Sequence, residues 1–328
     1  MPFPWQISEV RKLNDDNFND DILEVIGIMG FMIVYALLGV YSMPLLLFLF
    51  PTPFIYIGVK KDLKTAIISI TITSILVGLI ADTYSGIVLF QLFMPLSLVI
   101  IYEILNRRKF AEIMSYSTVV FFISCLLLYG LVQDVTGSSI ISQLEESFRE
   151  IVNAQVEIFR ESGFTNYELS RTKAQLENTY SYMLSIIPAI LIILSMFVSY
   201  INYYASVVVL RRFGIGVELT PSFSGIKLPR NIVPVSIVVF IVFYLARGLN
   251  IPKYEAIMLN TIVFTWFIFF IQGLSLVYYL MVKYKFKTLT RIIIVILLIF
   301  ILPVGSLLSF IGFLDTIFDF RKSNKLKS

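Results

Sequence analysis

The chain has 328 residues, 58% of them hydrophobic and 15% charged, and a mean hydropathy of +0.86. A water-soluble domain carries about 25% charged residues, so this composition places the chain in a bilayer. Its net charge of +4 matters less than where the charges fall. Histidine is absent and Cys125 is the one cysteine, which excludes imidazole ligands, Ser-His-Asp triads, an internal disulfide and cysteine zinc sites. No metal, no cofactor and no enzymatic activity are expected.

Residues 1–21 are polar and acid-rich (Glu9, Asp15, Asp16, Asp20, Asp21). They lack the basic start and immediate apolar core of a secretory signal and read as a cytoplasmic N-terminal segment. Apolar runs follow at 22–41, 43–59, 65–81, 87–105 and 112–133. After a polar stretch they resume at 181–209, 232–247, 256–282, 291–303 and 305–320. Runs this continuous lack the alternation of barrel strands and predict helices. The last two are short. They read as a hairpin turning at Pro303 and Gly305, or as one span plus an interfacial helix.

The expected fold class is all-α. It is a polytopic transmembrane bundle of about eight to ten spans with an extracytoplasmic amphipathic hairpin. The segments are 22–133 and 181–320 in the membrane, 134–180 outside, and a basic tail at 321–328.

With the N-terminus inside and ten crossings, 20 of the 26 Lys and Arg residues fall in inner segments. They cluster at 11–12, 60–64, 107–109, 211–230, 283–291 and 321–327. That asymmetry is a positive-inside signal and predicts a bacterial plasma-membrane protein with both termini cytoplasmic. The outer segment 134–180 carries eight acidic residues against four basic ones. Ile141, Leu144, Phe148, Ile151, Ile158 and Phe159 recur at helical spacing there. Gly163 breaks that helix, and Thr165 with Glu168 forms a capping box for a second one.

"LFLFPTPFIYIGVKKDLK" (47–64) holds Pro51 and Pro53 inside an apolar run. Proline removes a donor and disfavours helix at the residue before it, so the span is expected to be broken. Freed backbone groups cannot face lipid. The break either lines a substrate cavity, as in transporters, or is a kinked packing helix. Glu103 lies one turn before Arg107, either as an (i, i+4) pair or as a functional intramembrane acid. Arg247, at the outer end of the seventh span, is a candidate for an anionic ligand group, or it snorkels or pairs with Glu255. Asp82 and Tyr84 lie in an outer turn on the same side. Asn260 and Gln272, inside the eighth span, serve a ligand or interhelical hydrogen bonds. The inner loop 211–231 is rich in glycine and proline. Its Arg211, Arg212, Lys227 and Arg230 are placed to meet Asp315 and Asp319 of the terminal segment, or to face water and headgroups; Arg211, Arg212, Arg230, Asp315, Asp319 and Arg321 are candidate contacts for a cytoplasmic partner. No P-loop is present.

"FPTPFIYIGVKKDLKTA" (50–66), "LRRFGIGVELTPSFSGIKLPRNIV" (210–233) and "GFLDTIFDFRKS" (312–323) together resemble the YybS family of bacterial multi-pass membrane proteins. That family is often compared with the substrate-binding (S) components of energy-coupling-factor transporters. The resemblance implies a helical bundle capturing a small molecule near its outer face, with a coupling subunit and cytoplasmic ATPases as partners. The resulting expectation is a small-molecule transport protein resembling an S component. The alternative is a non-transporting scaffold of the envelope or cell-shape machinery, with envelope proteins as partners. Lipid is a partner in either case, and nucleic acid in neither.

Overall fold

The computed structural model describes residues 18–218, 220–249 and 251–321. Most of the expected N-terminal segment and basic tail lies outside them. The described residues contain helices and connections but no strand. In chain order the helices are α1 (Phe18–Tyr41), a 3-10 helix (Pro44–Leu49), α2 (Pro51–Lys60), α3 (Leu63–Ile80), α4 (Thr83–Leu105), α5 (Phe110–Thr136), α6 (Ile140–Glu161), α7 (Asn166–Ser185), α8 (Ile187–Arg212), α9 (Ile232–Ala246), α10 (Tyr254–Lys283), α11 (Thr288–Phe300) and α12 (Leu302–Phe318).

Six of these helices (α1, α3, α4, α5, α8 and α10) are long and apolar enough to cross a bilayer. The shortest, α3, has 18 residues, about 27 Å at 1.5 Å per residue. The pair Thr288–Phe300 and Gly305–Phe318 is bent by 110°, the geometry of a broken span or a re-entrant loop. Its break falls at Ile301, the extended residue between the two helices. Proline is tolerated early in α12, where the first amides have no intrahelical acceptor to lose. The stretches Pro44–Lys60 and Ile232–Ala246 are shorter apolar helices. The run expected as one span from 181 is divided: α7 ends at Ser185, Ile186 turns, and α8 begins at Ile187.

The chain forms two compact units. One comprises the chain up to Leu131 together with Ser195–Leu219; the other comprises Val132–Leu194 and everything from Thr220 on. Within the first, α3 and α4 make a tight antiparallel hairpin. Asp62 caps α3 by accepting from the Thr65 amide at 2.7 Å, and Asp82 caps α4 from the Ser85 amide at 2.9 Å. The two helices touch through glycines. A Cβ on Gly86 would lie 2.7 Å from both the Gly78 Cα and the Ser74 carbonyl oxygen. Small residues of this kind are what let membrane helices approach closely.

Within the second unit, α6 and α7 form the expected hairpin. Gly163 turns it with φ of +88°, a conformation glycine adopts without penalty. The Thr165–Glu168 capping box is complete, and Phe148 stacks on Tyr180 at 4.6 Å between centroids. The other half of this unit is organised by α10 and α12, which run in parallel. A Cβ on Gly312 would lie 1.9 Å from the Phe269 carbonyl oxygen, and one on Gly273 would lie 2.0 Å from that of Leu308. Ser309, between these contacts, donates to the Trp266 carbonyl at 3.0 Å. This small-residue seam brings Gln272 of α10 opposite Asp315 of α12.

Candidate functional site

Asp315 is 3% exposed and Arg321 5% exposed, although both are charged. Burying a charge is costly unless it is paired and fully hydrogen-bonded, so the surroundings of these two decide what they do. The Gln272 side-chain amide donates to Asp315 Oδ2 at 2.6 Å. Arg321 reaches the same oxygen at 3.3 Å. Asp315 Oδ1 accepts from the Phe320 amide at 3.2 Å. The carboxylate therefore caps the end of α12, where Asp319 takes a left-handed φ of 47°.

From this core, polar atoms reach out to the loop between α8 and α9. Arg321 donates to the Ser224 carbonyl at 2.7 Å and to Ser275 Oγ at 3.1 Å. Ser275 donates onward to the carbonyls of Phe223, at 2.7 Å, and Ile226, at 3.1 Å. Gln272 Oε1 accepts from the Leu228 amide at 3.0 Å. At the rim, Lys227 pairs with Asp319 at 2.5 Å and Arg230 reaches it at 4.0 Å. The rings of Phe223 and Tyr278 meet edge-on, and Arg321 lies over Tyr279. Side chains of α10, with Arg321 from just past the end of α12, thus hold loop backbone from 223 to 228. Lys227 and Arg230 keep exposed ammonium and guanidinium groups on its outer side.

Of the expected inner contacts, Lys227, Arg230, Asp315, Asp319 and Arg321 come together. Arg211 and Arg212, in the other unit, end α8 as exposed side chains. Gln272, expected within a span as a ligand or bridging group, is at the centre of the loop-holding network.

Asn260 bridges helices. It accepts from the Ala189 amide at 2.7 Å and donates to the Ser185 carbonyl, also at 2.7 Å, satisfying the chain where α7 gives way to α8. Asp82 and Tyr84 belong to the first unit and Arg247 to the second. Asp82 spends its carboxylate on the Ser85 amide and hydroxyl, and those bonds lower its pKa. Tyr84 is exposed. Arg247 is exposed at the end of α9 and pairs with neither Glu255 nor another acid among the described residues. Glu103 is corrected: its nearest cation is Arg108, at 3.9 Å, not Arg107. The reason is local, since Arg107 takes a left-handed φ of 52° just past the end of α4 and turns the chain.

The proline break forms as expected, and its backbone is satisfied from a distance. A 3-10 helix runs to Leu49, and α2 restarts at Pro51 with both prolines in its first turn. The Asn202 amide donates to the Phe48 carbonyl at 2.7 Å, and Thr52 donates to Asn202 Oδ1 at 3.2 Å. Phe50, Phe54 and Asn202 are wholly buried, so the break is packed inside its unit. Sequence reading missed Asn202; the available signal was an amide within an apolar run.

It also missed Glu24, an acid near the start of the first apolar run. Glu24 receives Tyr56 and Lys60, each at 2.8 Å, with Lys61 at 3.7 Å. A cavity of about 550 Å³ lies between α6 and α7 and is bounded by Phe148, Tyr180, Arg149 and Glu177. Another, of about 240 Å³, lies beside Arg107, Tyr203 and Glu218. Among the described residues no group of His, Cys, Asp and Glu could hold a metal.

Six helices long and apolar enough to cross a bilayer, small-residue seams and polar side chains that bridge helices define a multi-pass helical membrane protein. More particularly, residues 30–316 match the family described as "Predicted membrane protein (DUF2232)", and the chain belongs to that family. A relative from Bacillus subtilis (strain 168), the "Uncharacterized protein YybS", is 22% identical over 308 residues, covering 93% of this chain and 96% of its own. No solved structure matches.

Proposed function

We propose that the chain is a non-transporting membrane scaffold of the bacterial envelope that presents the loop 220–231 to an acidic protein surface. One observation carries this reading: the most deeply buried charges among the described residues of the second unit are committed to holding a loop. Asp315 and Arg321 face each other, and Gln272 and Ser275 complete the hold on loop backbone. A free loop would satisfy its carbonyls with water at no structural cost. Fixing it costs desolvation and conformational entropy. That expenditure fits a surface whose shape a partner reads, with Lys227 and Arg230 as its exposed cations.

The competing reading is S-component-like transport, with Arg247, Asp82 and Tyr84 as ligand contacts and a coupling subunit and ATPases as partners. Affinity purification in mild detergent, with mass spectrometry of proteins and small molecules, separates the two. A scaffold brings envelope proteins and no metabolite, and R230E weakens their recovery. Transport brings a coupling subunit, ATPases or a stoichiometric metabolite, with metabolite retention lost in R247A.

A further inference from the structure

In the first unit, the chain leaving α4, Ile113 in the first turn of α5, Tyr203 of α8 and the segment 216–218 line a cavity of about 240 Å³. Its lining includes Arg107, Arg108, Tyr203 and Glu218, with Ile104 and Val217 supplying apolar wall. These charges are not equivalent. Arg108 is committed: it reaches Glu112 at 3.4 Å and buried Glu103 at 3.9 Å. Arg107 and Glu218 form no ion pair among the described residues, either with each other or with another side chain. Both are held in place by backbone. Arg107 sits at a φ of 52° with its amide bonded to the Ile104 carbonyl at 3.0 Å. The Glu218 carbonyl accepts from the Tyr203 hydroxyl at 3.1 Å, and the Tyr203 ring packs on Phe110.

An uncommitted cation and an uncommitted anion on one small cavity match a ligand that carries both signs. A guanidinium is a planar fork for phosphate oxygens, and a carboxylate accepts from a primary ammonium. The cavity lies where α4 ends at Leu105 and α5 begins at Phe110, that is, at helix ends. In a membrane protein such ends reach headgroup depth. Its volume is below that of a drug-sized pocket, which starts at about 300 Å³, and suits a headgroup. The geometry points to a site for a phosphoethanolamine group, with the phosphate on Arg107 and the ammonium on Glu218. The group is carried by a phospholipid or by the free phosphomonoester.

The test uses the full-length protein, stripped of lipid in detergent and offered one probe at a time. The probes are phosphatidylethanolamine, phosphatidylcholine, phosphatidylglycerol and soluble phosphoethanolamine, with retention read by native mass spectrometry. One equivalent of phosphatidylethanolamine is expected, favoured about tenfold over phosphatidylcholine, whose quaternary nitrogen cannot donate to Glu218. R107A is expected to lower that retention about tenfold, and R107K to restore part of it. E218Q, an exposed isosteric change, is expected to remove the preference for ethanolamine over glycerol headgroups. Displacement by soluble phosphoethanolamine assigns the site to the free ester, and retention against it assigns the site to the lipid. Absence of phosphatidylethanolamine binding, equal retention of the three lipids by the native protein, or a preference unchanged in E218Q overturns the proposal.

Discussion

Asn202 shows how one side chain makes a broken helix tolerable. Lipid offers no donor for the Phe48 carbonyl, and Asn202 supplies one from 154 positions away. N202L should remove that donor while keeping bulk. The expected loss is about 1–3 kcal/mol for an unsatisfied buried carbonyl, measured by thermal unfolding in detergent. Asp315 is a stricter case, because its removal leaves Arg321 buried without a counter-charge. D315A should cost roughly 3–5 kcal/mol, and protease sites in 220–231 should open in the same variant. The prolines at 51 and 53 were legible as a break, because their backbone chemistry is local. The partner Asn202 was not, because no local pattern ties an amide to a carbonyl so distant in sequence. Glu24 is similar: an acid in an apolar run is visible, but its cations, Lys60 and Lys61, lie beyond an intervening turn.

At the level of elements, capping chemistry was readable, but run length was less so: the run from 181 divides at Ile186, and among the described residues six helices, or seven spans with the bent pair, are long and apolar enough to cross where eight to ten were expected. The Thr165–Glu168 box forms as expected, and the bonds from the Thr165 amide and hydroxyl hold the Glu168 pKa below its ordinary value. A carboxyl lowered on folding stabilises the hairpin above its unfolded pKa. That contribution fades as pH falls through the folded value. The protection of amides at the start of α7, relative to their intrinsic exchange rate at each pH, should therefore fall under acid, and E168Q should flatten that dependence. Close helix pairs were less legible, since glycine alone does not announce its partner. At Gly312 an added Cβ would fall 1.9 Å from the Phe269 carbonyl oxygen, whereas nothing lies within 4 Å of one at Gly30. G312A should force α10 and α12 apart and cost about 1–3 kcal/mol or more, while G30A should be close to neutral in the same unfolding assay.

For the whole molecule, the positive charges read from the sequence imply an arrangement that accessibility can check. With Cys125 replaced, a cysteine at Ser147 in the hairpin should react with an impermeant thiol reagent on intact cells. One at Ser222 should react only after the membrane is opened. Charge complementarity made the meeting of Lys227 and Arg230 with Asp319 legible. The buried half of the same network, Gln272 and Ser275 with Arg321, was not, because polar residues within spans serve packing and function alike. The central claim is that this network exists to present a loop to a protein partner. Its most direct test is purification of the native protein and of D315A from membranes in mild detergent, with mass spectrometry of everything that accompanies each. The expected result is a stoichiometric envelope protein with the native chain, lost in D315A, and no bound metabolite. A coupling subunit with ATPases, or a stoichiometric small molecule, would contradict it.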